Sequence, residues 1–106
     1  MESLGDLQRK FTLLTGKLII YAYEQGYELT FGEAYNAQGT GHKKNSNHYI
    51  RLAVDLNLFK DQAWLSKGIE MEQGHNMLHD YWDSLGGAPR IKNDLNHYAL
   101  VYNGKW

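Results

Sequence analysis

The sequence contains no cysteine, a single proline and no long apolar run. Without cysteine there can be no disulfide bond, cysteine-ligated zinc or thiol nucleophile, so a metal site must use histidine and carboxylate ligands. The longest apolar run, at 18–23, is far shorter than the roughly 20 residues of a membrane-spanning helix. The N-terminus lacks a basic start followed by an apolar segment, so we expect synthesis in the cytoplasm without a signal peptide.

An excess of charge of one sign is also missing. Eleven Lys and Arg residues against twelve Asp and Glu residues give a formal net charge of -1. Because no strongly basic surface is indicated, we expect no nucleic-acid partner and no insertion into a membrane. The length of 106 residues and the 42% hydrophobic content fit one globular domain over 1–106, which we expect to be monomeric.

Two segments have the apolar spacing of a helix. Over 4–25, apolar residues recur every three or four positions, and Gly26 follows as a stop signal. The segment 68–85 has the same spacing and is followed by Gly86 and Gly87. We predict a helix in each segment.

Alternation of apolar and polar residues predicts strands. Residues 27–33 alternate over their length, and a second strand over 48–55 continues through 56–59 to a turn. We predict that 63–65 pairs back as a hairpin and that 97–102 is the last strand. The order of helix, strands, helix and strand indicates an α+β domain with a small, mainly antiparallel sheet flanked by helices.

Two histidines stand at the start of predicted strands, where a scaffold often presents side chains to a cleft. His48 follows the polar, glycine-bearing segment 34–47, a loop long enough to indicate a function. Asp55 lies seven residues beyond His48, and odd spacing places two residues on opposite faces of a regular strand. They could converge if the chain bends or bulges, or if His48 lies outside the strand. Asp94 precedes His97 by three residues, and a turn could bring these two together.

The remaining histidines offer a rival metal site. His75 and His79 lie four apart on the second predicted helix and share a face. The glutamate of the HExxH zinc-protease pattern is absent between them, which favours a packed or exposed pair over a metal site. We interpret His42, in the loop, as an ordinary loop residue.

Two motifs resemble a known family. The segment 46–56, SNHYIRLAVDL, resembles the SxHxxGxAxDl signature of zinc-dependent D-Ala-D-Ala carboxypeptidases and L-alanyl-D-glutamate endopeptidases. This VanY-like group includes many phage endolysins. DLNH at 94–97 resembles the family's D-x-x-H pair, and LTFGEAYN at 29–36 resembles the strand and loop that open its substrate groove. The resemblance runs from about residue 25 to 100.

The resemblance implies a zinc-peptidase fold of the D-Ala-D-Ala carboxypeptidase type. It implies that His48, Asp55 and His97 bind Zn²⁺, with His48 entering before the regular strand. Asp94 would be the catalytic base, which takes the proton of the attacking water and passes it to the leaving amine.

The resemblance also implies a substrate groove, in which Ser46 and Asn36 would hold the substrate. Asn36 stands where the family often has arginine, and it brings no charge. Arg51 stands where the signature has glycine; it would either hold a substrate carboxylate or lie on an exposed face of the sheet.

The implied substrate is the peptidoglycan stem peptide. We favour an L-alanyl-D-glutamate endopeptidase of the phage endolysin type, because Asn36 is ill suited to bind a terminal carboxylate. Alternatives are a D-Ala-D-Ala carboxypeptidase, or a non-catalytic cell-wall-binding or virion structural module with the same fold. An endopeptidase without a signal peptide would reach the bacterial wall after holin-type release or by virion delivery.

Overall fold

The computed structural model describes residues 2–35 and 46–106, and within them the chain is α+β, with two helices and a small antiparallel sheet. This confirms the predicted class. In chain order the elements are α1 (Leu4–Glu24), β1 (Glu28–Phe31), a 3₁₀ helix (Asn47–Ile50), β2 (Ala53–Lys60), β3 (Ala63–Trp64), α2 (Ile69–Ser84) and β4 (His97–Ala99). The predicted loop over 34–47 falls largely on residues 36–45, which lie outside the described residues.

Both helices match their predicted segments to within one residue at either end. The first begins with a capping box, in which the Ser3 side chain accepts from the Asp6 N–H and the Asp6 carboxylate accepts from the Ser3 N–H. The chain leaves this helix through Gly26, whose φ of 88° favours glycine. Neither α1 nor α2, the two α-helices of the described part, is long and apolar enough to cross a membrane.

Strand β2 is the centre of the sheet. Strand β1 pairs with it antiparallel along one edge, from Glu28 opposite Phe59 to Phe31 opposite Leu56. The other edge is shared, because β4 pairs with residues 53–55 and β3 with residues 59–60. The β2–β3 hairpin closes through Asp61 and Gln62, both at positive φ, as a two-residue hairpin turn requires.

The two helices cover one face of this sheet. Alternate residues of the central segment point into the core: Leu52, Val54, Leu56 and Leu58. They meet a buried stripe of α1, Leu78 and Trp82 of α2, and Tyr98 of β4. Since side chains alternate along a strand, Asp55 and Asn57 point to the opposite, open face.

The predicted strand over 48–55 is wrong at its start. His48 lies in the 3₁₀ helix, and β2 begins only at Ala53. A local turn overrides the apolar alternation: the Ser46 side chain accepts from the His48 N–H, and the Leu52 N–H donates to the Asn47 carbonyl. The last strand is also shorter than predicted, ending at Ala99, and Tyr102 and Lys105 then form the closing turn.

Arg51 ends the 3₁₀ helix in a left-handed conformation, with φ of 59° and ψ of 36°. For residues other than glycine, the left-handed conformation costs about 1–2 kcal/mol of conformational free energy, because Cβ crowds the following carbonyl. The guanidinium lies over the Tyr35 ring, 3.9 Å from its centroid, which offsets part of that cost. The glycine of the family signature therefore falls at a position where glycine is physically favoured.

We expect Arg51→Gly to be more stable than Arg51→Ala by about 1 kcal/mol. Both variants lose the contact with Tyr35, but glycine alone relieves the left-handed strain. Urea unfolding of the two proteins measures the difference. If the alanine variant is the more stable one, the backbone conformation of Arg51 does not govern this site.

Candidate metal centre

His48 is held by the short 3₁₀ helix that precedes β2. The neighbouring Asn47 side chain donates to the Leu100 carbonyl at 2.8 Å and to the Lys105 carbonyl at 3.0 Å. These bonds tie the helix to the chain beyond β4. As a result the His48 side chain is 1% exposed and directed over the open face of the sheet, and the odd spacing to Asp55 no longer separates the two.

Asp55 and His97 are brought together by strand pairing. They are direct partners in the antiparallel register of β2 and β4, so that their side chains are cross-strand neighbours on the open face. On the other edge of β2, the Gly32 N–H donates to the Asp55 carbonyl at 2.7 Å. A Cβ on Gly32 would lie 3.1 Å from that of Asp55, which is tighter than usual packing. Glycine here leaves room for the Asp55 side chain.

The three side chains converge on one carboxylate oxygen. Asp55 Oδ1 lies 3.3 Å from His48 Nε2 and 3.4 Å from His97 Nδ1. One possible ligand atom from each of the three residues lies within 4.8 Å of the others. This group could therefore hold a metal ion.

The electrostatics of the group also fit a cation. Burial acts to raise the pKa of the Asp55 carboxyl, but the close approach of the His48 and His97 rings outweighs it and holds the pKa below its ordinary value of 3.8. Asp55 is thus a carboxylate at neutral pH. Its Oδ1 is shielded from solvent and has no hydrogen-bond partner within residues 2–35 and 46–106. A buried anionic oxygen between two imidazoles is a donor set that suits zinc.

Two further carboxylates flank the group. Asp94 Oδ2 lies 4.0 Å from His97 Nδ1, and the Asp94 side chain is 51% exposed. The turn that brings them together is held by the His97 N–H, which donates to the Asp94 carbonyl. Glu33 Oε2 lies 3.9 Å from His48 Nδ1, whereas the other ring nitrogen, Nε2, faces Asp55. Glu33 was not predicted as a residue of the site, although it lies inside the LTFGEAYN segment and directly follows Gly32.

The two histidines of α2 are packed in the core, and among residues 2–35 and 46–106 no carboxylate completes a metal site with them. His75 Nδ1 lies 2.7 Å from the Tyr98 hydroxyl, and His79 Nε2–H donates to the Leu95 carbonyl at 2.7 Å. The His79 ring also stacks on Tyr98, with centroids 4.2 Å apart. Burial lowers the pKa of each histidine to about 4, so both are neutral at pH 7. Of the two alternatives left by the sequence, a packed or an exposed pair, the structure shows the packed one.

The residues predicted to contact substrate lie in different environments. The Ser46 hydroxyl caps the 3₁₀ helix, and its role toward substrate stays a prediction. Arg51 is exposed and lies over Tyr35, which accounts for its position without a substrate. Asn36 and His42 lie outside the described residues.

No protein-family model matches the chain, and no curated protein is significantly similar to it. The resemblance noted in the sequence therefore rests on its sequence motifs and stays a prediction.

His48→Ala should weaken zinc binding by more than about 100-fold, beyond the loss typical of residues outside the ligand shell. His75→Ala removes an equally buried histidine but should leave zinc affinity unchanged. Competition with a chelating dye measures both affinities. Equal losses in the two variants would mean that metal binding follows general stability and does not map to this site.

The free energy of unfolding should fall as the pH drops from about 6.5 to about 4. Over this range the unfolded chain protonates His75 and His79 while the folded chain keeps them neutral. The loss is at most roughly 3 kcal/mol for each ring. Urea unfolding at several pH values measures it. The double variant His75→Asn, His79→Gln, which keeps similar hydrogen-bonding atoms, should lose far less; an identical pH profile would contradict this origin.

Proposed function

We propose that this chain is a zinc-dependent peptidase that cleaves the stem peptide of peptidoglycan, with a fold of the D-Ala-D-Ala carboxypeptidase type. The observation that carries the proposal is the convergence of His48, Asp55 and His97 beside the half-exposed carboxylate of Asp94. The order and spacing of both family motifs, each of which contributes to this one group, support it.

Three protein ligands are the number expected of a catalytic zinc, because a fourth position remains for water or substrate. Zinc bound there would polarise the scissile carbonyl and acidify a water molecule. The donor set fits zinc because it consists of two imidazoles and one carboxylate that stays ionised at neutral pH. Glu33 Oε2 lies 3.9 Å from the outer nitrogen of His48, close enough that a small side-chain movement would let it orient this histidine as outer carboxylates commonly do.

Asp94 is the residue that we assign to proton transfer. It accepts a proton from the attacking water, whose oxygen bonds to the carbonyl carbon of the peptide. As the C–N bond breaks, Asp94 delivers that proton to the amine nitrogen of the leaving fragment. Its position suits this role, since its carboxylate is accessible on the open face and adjoins His97.

We favour the endopeptidase that cuts between L-Ala and D-Glu. A carboxypeptidase must bind a free terminal carboxylate, and Asn36 brings no charge to the position where the family often has arginine. A non-catalytic wall-binding or virion module is the second candidate, but retention of three ligands together with Asp94 favours activity. The enzyme would act at the bacterial wall after holin-type release or virion delivery.

Asp94→Ala should lower kcat by about 10²–10⁴-fold, the usual contribution of a positioned general base. Zinc content should stay at the wild-type level, because Asp94 is not one of the three converging residues. Purified protein is incubated with peptidoglycan, with and without a chelator, and new termini are identified by mass spectrometry.

A chelator-sensitive new amino terminus on D-Glu is the expected wild-type result. Asp80→Ala serves as the matched control, since Asp80 is an exposed carboxylate of α2 that binds Arg90. Wild-type turnover by Asp94→Ala would rule out its assigned role, and no new terminus with any of the proteins would favour the non-catalytic module.

A further inference from the structure

One edge of β2 carries a gap between its two partner strands. Strand β4 covers residues 53–55 and β3 covers residues 59–60, so no strand of the described chain pairs with 56–58 on this edge. The Leu56 N–H donates to the Asn96 carbonyl at one end, and the Leu58 carbonyl accepts from the Leu65 N–H at the other. Leu56 and Leu58 are 1% and 0% exposed, so the backbone of β2 lies beneath this gap and is not open to a further strand.

A groove with a volume of about 340 Å³ occupies this gap. Its lining includes Asp94 beside the metal centre and Trp64 of β3, whose side chain is 60% exposed. From Asp55, a residue of the metal centre, to Phe59, the partner of Trp64, β2 advances four residues, or roughly 13 Å. The groove thus has the length of a short extended peptide.

The charges along the groove are of both signs. Lys92 and Glu72 line it from the loop before β4 and from α2, and both are exposed. Among the described residues no ion pair within 4 Å joins either of them to another side chain. Both charges can therefore meet a peptide that carries carboxylates and a free amine.

We infer that this groove binds the leaving fragment of the substrate, an extended peptide of about three or four residues that is held by the side chains lining the groove. This inference rests on the proposed function. Because Asp94 delivers its proton to the leaving amine, that amine must lie at Asp94, which is where the groove begins. The fragment then extends along 56–58 toward Trp64, whose ring packs against it.

The length of the groove bears on which peptide bond is cut. Cleavage between L-Ala and D-Glu releases a leaving fragment of several residues with carboxylates and, on its diamino residue, a free amine. Release of terminal D-Ala gives a leaving group of one residue, which would leave the groove beyond Asp94 unfilled. The groove therefore selects an endopeptidase substrate with a long leaving fragment.

The test compares two zinc-loaded reactions, on a full stem peptide and on the dipeptide L-Ala-D-Glu. Wild type should have a KM about tenfold lower for the full stem peptide, and Trp64→Ala should abolish this difference with little change in kcat. Trp64→Phe should retain most of it, because a ring remains for packing. Trp106→Ala, at another exposed tryptophan that does not line the groove, should match wild type.

Binding of the leaving fragment itself, measured by calorimetry, separates this inference from the proposed function. Fragment binding that Trp64→Ala weakens about tenfold supports the groove even if the protein cuts no peptide. Equal KM values for both substrates in an active wild type, with no effect of Trp64→Ala, overturn the groove and leave the peptidase standing. Absence of both cleavage and fragment binding overturns both.

Discussion

The structure depends on the pairing of β2 with β4. This register makes Asp55 and His97 cross-strand partners on the open face while it directs Val54 and Tyr98 into the core. The hydrophobic burial that stabilises the sheet therefore also fixes two residues of the candidate metal centre. A slip of one residue would move Asp55 to the core face, where a carboxylate without a partner is costly. Fold and site are specified by the same contact.

The candidate site is built at some cost to stability. Asp55 Oδ1 is buried without a hydrogen-bond partner in the described part of the chain, and Arg51 holds a left-handed conformation just before β2. Sequences usually depart from the most stable local choice where function requires it. A cation between the imidazoles would compensate the buried oxygen, and the aromatic contact of Arg51 compensates part of the backbone strain.

The two pairs of histidines show how environment decides the role of a residue type. His75 and His79 are neutral because burial against Tyr98 disfavours a charged ring, and each has a neutral partner. His48 and His97 instead face a carboxylate that stays ionised between them. His79 still serves the site indirectly, since its bond to the Leu95 carbonyl ties α2 to the turn that carries Asp94 and His97.

The sequence by itself determined both helices, the α+β class and the hairpin of β2 and β3. Its motifs also named His48, Asp55 and His97, which the structure brings together. Helical spacing and strand alternation indicate that one face of a segment is buried. Such patterns can be read within a single segment, whichever other segments it packs against. Only the tertiary structure decided that a 3₁₀ helix carries His48, that Glu33 lies beside it, and that a groove remains between β3 and β4. These features depend on a side-chain cap, on register and on which strands share an edge. The cap is a local hydrogen bond between Ser46 and His48. Register and shared edges are set by contacts between residues far apart in the chain, which spacing along one segment does not encode.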